Sequence, residues 1–438
     1  MTWSLPGTTV PWDKDGRDKR GNSLVFFRKM DNRPEIFLLK RKVEIMSYPP
    51  LAELETRVKR FQEVLRAQGM DGALLLQGAD LVYFCGTTQN AHLYIPARGR
   101  ALFMIRRSIQ RVDPALIPAE VVPLRRLEEI PELLSARGLA MPGVLGMELD
   151  VLPVNLYRRY EKIFPGRIVD CSFQIRELRA VKSAYEIGLL KESAAMMDGV
   201  FARIPEMLRE GMDELELAAR LEAAARCAGH MGLIRVRGFN QEFFWGCLLA
   251  GPSGGVPSYF DSPLGGPGFT PAFPFGVGRH RLAPGEPVMV DYVGVANGYQ
   301  VDMTRVFALG YLPEDLLRAH ETAVNIQNAL VAAARPGVTG GELYDLALEM
   351  ATAAGLAEHF MGCGEQVRFV GHGIGLELNE LPVLARGAKD KLQAGMVLAI
   401  EPKFIFPGRG AVGIENTFVV RERELERLTR FPDEVVIV

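Results

Sequence analysis

Two segments of the chain repeat one pattern at a constant spacing. Of all the features of the sequence, this repeat most restricts the folds that the chain can adopt. The first begins at Arg209 and ends at Gly229, and the second begins at Arg335 and ends at Gly355. Each carries Arg-x-Gly, a helix-capping Asp or Thr, Glu-Leu three residues later and a closing Ala-Gly. Each segment therefore predicts a capped helix that ends at a glycine. Ala-rich helices resemble one another by chance, but strand-like sequence with metal-binding residue types comes after both segments, which favours two duplicated αβ halves around a shared site.

The composition is that of an ordinary globular chain. Its 438 residues include 51 Lys and Arg against 53 Asp and Glu, a balance that gives no basis for nucleic-acid binding. The five cysteines are scattered without a CxxC pair, which argues against a disulfide framework or a thiolate zinc site. No apolar run approaches the ~20 residues of a membrane span, and the N-terminus lacks an apolar signal-peptide core. We therefore expect no nucleic-acid partner, no membrane partner and a cytoplasmic location.

The character of the sequence changes twice along the chain. Residues 1–46 fit poorly with the rest of the chain, and they are either a genuine N-terminal extension or the product of a start assigned too early. Residues 47–175 alternate strand-like and helical runs, which predicts a small α/β domain. A capping box at Ser183 and Glu186 then opens a long helical run. We predict a second domain over residues 176–438 and an α/β (α+β) fold class for the whole.

Five residues with metal-binding side chains lie in apolar surroundings. They are Asp291 in VMVDYV, Asp302 in VDMTRV, His372 in VGHGIG, Glu401 in AIEPKF and Glu415 in GIENTFV. Burying four carboxylates together without a cation raises their pKa values through desolvation and mutual repulsion. Four carboxylates and an imidazole form a hard ligand set, which predicts two divalent metal ions, with Mn²⁺ first and Co²⁺, Zn²⁺ or Fe as alternatives.

The two aspartates flank Asn297-Gly298, the strongest short-range signal for a two-residue type I′ hairpin. Pairing across this turn puts Val293 opposite Asp302, and Asp291 lies two residues from Val293 on the same face. The carboxylates are then diagonal neighbours, ~7–8 Å apart at Cα, and two metal ions ~3.5–4 Å apart can bridge such a gap. The alternative is a pair of aspartates on a solvated hairpin face, against which the apolar flanks argue.

The two glutamates flank a second turn, FPGRG. A four-residue loop at 407–410 would turn Glu401 and Glu415 to opposite faces, whereas a loop one residue longer or shorter, or a bulge, would turn both inward. We predict the odd arrangement. His372 lies between two glycines, which we interpret as room for the backbone to approach a metal closely. The alternatives are a structural histidine and a phosphate loop, and no Gly-Lys-Ser comes next to support the phosphate loop.

The runs VMVDYVGVANGYQVDMTRVF, GHGIGLELNELP, VLAIEPKF and VGIENTF resemble the M24 metallopeptidase family of methionine aminopeptidase, aminopeptidase P and prolidase. Creatinase shares the pita-bread fold of that family. Residues 47–175 resemble the creatinase/prolidase N-terminal domain, and the resemblance covers nearly all of the chain beyond residues 1–46. It implies a pita-bread catalytic domain with internal pseudo-two-fold symmetry over residues 176–438.

The same resemblance implies two metal ions with a bridging water or hydroxide as the nucleophile. Asp291 would bind one ion, His372 and Glu401 would bind the other, and Asp302 and Glu415 would bridge the two. The resemblance also implies that Glu401 acts as the general base and that the chain forms a homodimer through its N-terminal domain.

The chain departs from the pattern of active relatives at two histidines. The position seven residues after His372 holds Asn379, and residues 251–278, before the first aspartate, contain no histidine. Asn379 can donate a hydrogen bond to a substrate but cannot carry a proton, and losing one such donor typically costs about 10²–10³ in rate. We interpret His280, which lies in a charged turn, as a solvated residue.

The Gly- and Pro-rich segment 251–278 is long for a loop, and such loops are commonly lids or pocket walls. Its aromatic side chains predict a substrate wall formed by Tyr259, Phe260, Phe273 and Phe275. The alternative is a rigid surface loop that is packed by its own aromatic residues.

Together these features predict a dinuclear metal hydrolase of Xaa-Pro aminopeptidase or dipeptidase type, which cleaves a small peptide or related amide. Non-peptide chemistry on the same ions, either hydrolysis of another amide or a lyase reaction, is the alternative that the missing histidines support. A third possibility is a non-catalytic binding protein that retained the fold. Such a protein would have no reason to keep five residues whose burial is energetically costly.

Overall fold

The computed structural model of the chain describes residues 48–438. Our interpretation of residues 1–46 therefore falls outside the described residues. Among the described helices, none is both long enough and apolar enough to cross a membrane.

A six-stranded sheet organises the first part of the described chain. Its strands are β1 (Gly72–Leu75), β2 (Ala91–Pro96), β3 (Ala101–Ile105), β4 (Ala119–Pro123), β5 (Val144–Met147) and β6 (Arg167–Asp170). Helix α1 (Leu51–Ala67) precedes β1, and α2 (Gly78–Cys85), α3 (Ile130–Ser135) and α4 (Val154–Ile163) lie between the strands. The strand order is β4-β3-β2-β1-β5-β6, with β2 antiparallel to both of its neighbours and the other pairs parallel. Strands β1 to β3 are buried on both faces, which explains their continuous apolar sequences.

The remainder of the chain alternates helices with strands of two further sheets and a ribbon. The helices are α5 (Ser172–Ala180), α6 (Ala184–Phe201), α7 (Ile204–Met207), α8 (Glu214–Ala228), α9 (Glu314–Ala333) and α10 (Gly340–Ala353). The strands are β7 (Gly246–Ala250), β8 (Pro287–Ala296), β9 (Tyr299–Ala308), β10 (Phe369–Gly373), β11 (Glu380–Ala385), β12 (Val397–Ile400), β13 (Lys403–Phe406), β14 (Gly410–Gly413), β15 (Asn416–Val420), β16 (Leu425–Arg427) and β17 (Val436–Ile437). Short 3₁₀ turns lie at Ile109–Arg111, Pro114–Leu116, Leu127–Glu129, Gly251–Gly255 and Ala357–His359. This mixed content confirms the predicted fold class.

The two larger sheets of this part meet at residues that the sequence marks as metal ligands. One sheet has the order β17-β9-β8-β7 and the other has the order β11-β10-β12-β15-β16, while β13 and β14 form a separate ribbon. Thr304 on β9 forms an antiparallel bridge with Glu415, which directly precedes β15. Next to this bridge, the Thr417 hydroxyl accepts from the Asp302 amide and donates to the Asp302 carbonyl, each at 2.9 Å. These contacts bring the first half of the repeat against the second.

The repeat in the sequence corresponds to a repeated local structure. Helices α8 and α10 are capped by Asp213 and Thr339, whose side chains accept backbone hydrogen bonds from the first turn. The turn before α8 exchanges two backbone hydrogen bonds with Leu282, and the turn before α10 exchanges the equivalent two with Leu392. Each half thus anchors the start of its helix to the segment that leads into its ligand-bearing strand, as expected for duplicated units.

Candidate metal centre

The first hairpin has the register that the sequence predicts. Asn297 and Gly298 both have positive φ, at 53° and 85°, as a type I′ turn requires. Val293 lies opposite Asp302 in the β8–β9 ladder. Asp291 is therefore a diagonal neighbour of Asp302, and both carboxylates project from one face of the hairpin.

The second pair of acidic residues faces each other across a longer ladder. The loop between β13 and β14 has three residues, 407–409, which confirms the odd arrangement. Strands β12 and β15 continue the same register, with Ile400 opposite Asn416. Glu401 and Glu415 lie next along this ladder and are therefore directly opposite, with both side chains on the inner face.

Asp291 and Glu401 occupy equivalent positions in the two halves, a relationship that our sequence reasoning missed. Gly285 lies six residues before Asp291, and Gly395 lies six residues before Glu401. Both glycines have positive φ, at 80° and 91°, so each half makes the same turn into its strand. A search for Leu-x-x-Gly followed by an apolar strand and an acidic residue would have found this second repeat.

Three of the predicted ligands form a compact cluster that suits a cation. Asp302, His372 and Glu415 each offer a ligand atom, and these atoms lie within 4.8 Å of one another. All three residues are buried. Nδ1 of His372 lies 3.0 Å from the carbonyl oxygen of Gly373, which can only accept, so we assign the proton to Nδ1. Nε2 then keeps its lone pair for a metal.

Two properties of this cluster fit a divalent ion. Within residues 48–438, Oε1 of Glu415 is buried without a hydrogen-bond partner, although a buried carboxylate oxygen normally has one. Burial raises the pKa of Asp302 well above its ordinary value, and repulsion from Glu415 and Asp291 raises it further. Burial also raises the pKa of Glu415. A cation would satisfy the unpartnered oxygen and stabilise the charged form of both carboxylates.

A lysine that the sequence analysis did not select lies among the other ligands. The ammonium nitrogen of Lys403 is 2.6 Å from Oε2 of Glu401, 2.7 Å from Oε2 of Glu415 and 3.4 Å from Oδ2 of Asp291. Burial alone would lower the pKa of Lys403, but these three carboxylates outweigh it and hold the pKa well above its ordinary value. The sequence could have identified this lysine, because side chains alternate along a strand and Lys403 follows Glu401 by two residues.

Asp291 is the least enclosed of the five predicted ligands, with 18% of its side chain exposed. Burial raises its pKa to about 6, and the charge of Lys403 opposes that rise. Its partner across the ladder is Thr304, whose hydroxyl donates to Oε2 of Glu415 at 3.0 Å. Asp291 thus contacts the centre through Lys403 rather than through the cluster around His372.

The glycines beside His372 are required by neighbouring chain segments. A Cβ on Gly371 would lie 2.4 Å from the carbonyl oxygen of Ala399, and a Cβ on Gly373 would lie 2.1 Å from that of Leu381. These carbonyls belong to the neighbouring chain segments on either side of β10. The glycines are needed because those segments approach β10 closely, whereas our interpretation that they give a metal room stays a prediction.

The five predicted ligands line a cavity of about 220 Å³. Asn379 and Phe260 also line it, and Asn379 is exposed to its interior. Within the described residues, His372 is the single histidine in this wall. His280 is half-buried and hydrogen-bonded to Glu286 at 2.7 Å, which corrects our interpretation of it as a solvated residue.

The predicted aromatic wall divides between this cavity and a larger neighbour. Phe273 and Phe275 line an adjacent, mainly apolar cavity of about 430 Å³. Phe260, in the wall of the metal cavity, lies 5.1 Å from Phe275 between ring centroids, so the aromatic cluster separates the two spaces. Tyr259 lines neither cavity; it is 55% exposed, and its ring packs at a tilt against that of Phe260, with 4.0 Å between centroids.

Segment 251–278 is held at both ends by one buried carboxylate, that of Glu214. Its oxygens accept hydrogen bonds from the Ala250 amide at 3.0 Å, the Ser253 hydroxyl at 2.9 Å and the Gly278 amide at 2.8 Å. Glu214 is itself fully buried at the start of α8. The first helix of the repeat therefore fixes the segment that carries the aromatic wall.

A buried ion-pair network supports the segment that presents Asn379. Arg179 on α5 contacts Asp80 of the first sheet region at 2.6 Å and Glu377 at 2.8 Å. It also pairs with Glu380, on the other side of Asn379. Because both neighbours of this short segment are bound to one guanidinium, Asn379 is held at a defined place in the cavity wall.

Two family models match the chain. Metallopeptidase family M24 matches residues 188–422, and the Creatinase/Prolidase N-terminal domain matches residues 57–181. These matches confirm the resemblance found in the sequence. The limits 47–175 and 176–438 stay a prediction, because a family match does not define where a domain begins.

Three of the similar proteins are dipeptidases by name. Probable dipeptidase PepE of Mycobacterium tuberculosis is 32% identical over 265 residues, which is 60% of this chain and 62% of that protein, so the match spans less than two thirds of this relative. Xaa-Pro dipeptidase of Pyrococcus furiosus is 25% identical over 385 residues, which is 87% of this chain and 100% of that protein. The structure of Xaa-Pro dipeptidase from Bacillus anthracis superposes with a TM-score of 0.75 at 26% identity, and covers 88% of this chain and 100% of that one. The fold is thus the pita-bread fold that the sequence predicts.

Proposed function

Since the chain belongs to metallopeptidase family M24, we propose that it is a metal-dependent hydrolase of the Xaa-Pro dipeptidase type that acts on small peptides. One observation carries the proposal beyond the family. Asp302, His372 and Glu415 converge within 4.8 Å in the wall of a cavity, and Oε1 of Glu415 is buried there without a partner among the described residues. A divalent ion held there would polarise the scissile carbonyl and make a water more acidic.

We assign the general base to Glu401. Its Oε1 lies 3.6 Å from Nε2 of His372, at the edge of the cluster, and its Oε2 is held by the ammonium of Lys403. A carboxylate fixed in this way can take a proton from the attacking water and transfer it to the leaving amine. Asn379, exposed in the same wall, can donate a hydrogen bond to the substrate carbonyl.

We assign substrate side-chain binding to the aromatic wall. Phe260 contacts the metal cavity, and Phe273 and Phe275 line the apolar cavity beyond it. An apolar side chain next to the scissile bond would fill that second space and exclude water from the first. Tyr259, which packs against Phe260, would support the wall from outside.

The finer properties of the centre are proposals of the same kind. We propose Mn²⁺ as the native ion because carboxylate oxygens dominate the donor set, with Co²⁺, Zn²⁺ or Fe as alternatives. The sequence predicts two ions, and the position of the Lys403 ammonium group among the carboxylates affects how many ions the centre can hold. A homodimer and a cytoplasmic location are further proposals, and light scattering of the purified chain would test the dimer.

The function is tested with purified full-length chain on a panel of substrates. Xaa-Pro dipeptides, longer Xaa-Pro peptides and dipeptides without proline are offered after EDTA treatment and again after Mn²⁺ addition. We expect Mn²⁺-dependent cleavage of the Xaa-Pro dipeptides and little cleavage of the longer peptides. Failure to cleave any peptide in the presence of each candidate metal would refute the peptidase proposal.

A second candidate, hydrolysis of a non-peptide amide or a lyase reaction, is favoured by one observation. His372 is the single histidine among the described residues that line the cavity, so proton transfer to a peptide leaving group has no second histidine there and falls to a carboxylate such as Glu401. Turnover of N-acylated amino acids, combined with no turnover of any peptide, would favour the amide-hydrolase form of this candidate.

A further inference from the structure

One residue of the centre brings a positive charge of its own. Lys403 is fully buried, and its ammonium group makes charge-assisted contacts of 2.6 Å and 2.7 Å with Glu401 and Glu415. A third carboxylate, that of Asp291, lies 3.4 Å away. An ammonium group has three donors, so these three acceptors match its hydrogen-bonding capacity.

We propose that the ammonium group of Lys403 takes the place of one of the two cations of this centre, so that the chain binds a single divalent ion at Asp302, His372 and Glu415. This inference rests on the metal centre of the proposed function. It revises the number of ions from two to one.

The pairing of residues leaves no complete second ligand set. Under the family resemblance, Asp291 binds one ion, Glu401 binds the other and Glu415 bridges the two. Lys403 contacts all three of these carboxylates. A second ion would have to displace an ammonium group from two short contacts in a buried setting, where unpaired charges are costly.

The two carboxylate oxygens of Glu415 have different roles, one facing the ammonium group of Lys403 and the other left for the proposed metal ion. Oε2 accepts from the ammonium of Lys403 at 2.7 Å and from the hydroxyl of Thr304 at 3.0 Å. Oε1 is buried and has no partner among the described residues. Glu415 can therefore bridge an ammonium group on one oxygen and a metal ion on the other.

The charge balance does not require a second ion. The four carboxylates of the centre carry four negative charges, and Lys403 with one divalent ion supplies three positive charges, which leaves a net charge of −1. A second divalent ion would bring the positive charge to five and reverse the net charge to +1, so it would bring the buried centre no closer to neutrality.

The lysine cannot easily withdraw from this position. Its strand pairs with β14, where Lys403 lies opposite Gly413, and a Cβ on Gly413 would lie 2.7 Å from Cα of Lys403. The carbonyl of Lys403 also accepts a hydrogen bond from the Met361 amide at 2.9 Å. The backbone is thus held between two segments, and the side chain follows the inward direction set by the strand.

The count of bound ions tests the proposal directly. Full-length chain is stripped with EDTA and titrated with Mn²⁺ by calorimetry, and its metal content after dialysis is measured by elemental analysis. We expect one ion per wild-type chain, with the electron paramagnetic resonance spectrum of an isolated Mn²⁺. Two ions per wild-type chain, or the spectrum of a spin-coupled pair, would overturn the proposal without any variant.

Variants identify the residue responsible. Lys403→Ala removes the ammonium and opens space, so we expect two ions per chain. Lys182→Ala is the matched control, because Lys182 is also buried and paired with a glutamate, at 3.0 Å from Glu380, and it should keep one ion. One ion in folded Lys403→Ala would show that Lys403 does not exclude the second and would overturn the proposal.

The outcomes separate this inference from the proposed function. One bound ion with no hydrolysis of any substrate would refute the function while the inference stands. No bound ion in the wild-type chain would overturn the inference and remove the metal centre on which the function rests.

Discussion

Glu401 and Glu415 face each other between two strand pairs that share one register, and they share the ammonium group of Lys403, at 2.6 Å and 2.7 Å. Neither glutamate lies within a strand, since Glu401 falls between β12 and β13 and Glu415 falls between β14 and β15. Two carboxylates held this closely in a buried site require a positive charge between them. The side chain of Lys403 supplies that charge, and we therefore expect the stability of the metal-free protein to depend on this residue.

Lys403→Met should destabilise the metal-free protein strongly. The substitution keeps the length of the side chain but leaves buried carboxylates without their cation, which typically costs about 3–5 kcal/mol. Urea unfolding in EDTA measures the loss, and added Mn²⁺ should restore part of it because an ion that binds only the native state stabilises it. The exposed Lys391→Met should change the free energy of unfolding by less than about 0.5 kcal/mol. Equal effects of the two substitutions would contradict the importance of the buried pairs.

Glu401→Gln should remove hydrolysis while the chain still binds an ion. The amide has the same shape as the carboxylate but cannot accept the proton of water, so kcat should fall by about 10²–10⁴. Mn²⁺ binding should persist, because Asp302, His372 and Glu415 are unchanged. Glu216→Gln, on the exposed face of α8, is the control and should behave as wild type in both measurements. An undiminished kcat for Glu401→Gln would exclude this residue as the base.

Glu214→Ala should release segment 251–278. The substitution leaves the buried amides of Ala250 and Gly278 without acceptors, at a cost of about 1–3 kcal/mol for each unsatisfied group. We expect limited proteolysis within the segment and a raised KM, since the aromatic wall loses its anchor. The exposed Glu216→Ala should remain resistant to the protease. Resistance of both variants would mean that the segment is held by its own packing.

His92 should make the stability of the protein fall on acidification. It is buried in the first sheet beside the hydroxyl of Tyr160, at 2.7 Å, and burial lowers its pKa from 6.5 to about 4. The folded state therefore binds fewer protons than the unfolded state between these values, so stability is lost as the pH falls from 6.5 to about 4. The shift corresponds to about 3 kcal/mol.

Urea unfolding of wild type and His92→Gln from neutral pH to about pH 4 measures this contribution. The glutamine can keep a hydrogen bond to Tyr160 but does not titrate, so the variant should lose about 3 kcal/mol less than wild type over that range. Parallel losses in the two proteins would mean that His92 is protonated equally in the folded and unfolded states.

Sequence reasoning succeeded where short-range interactions decide the structure. The turn at Asn297-Gly298 admits one type of hairpin, and its register is fixed because a slip of one residue would turn every side chain to the other face. The loop at 407–409 has an odd number of residues, and strand alternation then places Glu401 and Glu415 on the same side. The capped helices of the repeat also rest on contacts within a few residues.

It failed where a neighbour distant in sequence decides the role of a residue. The glycines around His372 suggest room for a metal, but only packing reveals that the carbonyls of Ala399 and Leu381 require them. The aromatic wall was identified as one surface, whereas packing distributes it over two cavities and leaves Tyr259 outside both.

The sequence by itself determined the family, the duplicated helices, the two hairpins and the set of acidic residues, because each depends on local hydrogen bonds, strand alternation or residue type. Only the tertiary structure decided that Asp291 meets the same positive charge as Glu401 and Glu415. Thr304 bridges to Glu415 between the two halves, and this contact brings Asp291 within 3.4 Å of Lys403. No local pattern encodes that meeting, since it requires strands from both halves of the chain to be packed together first.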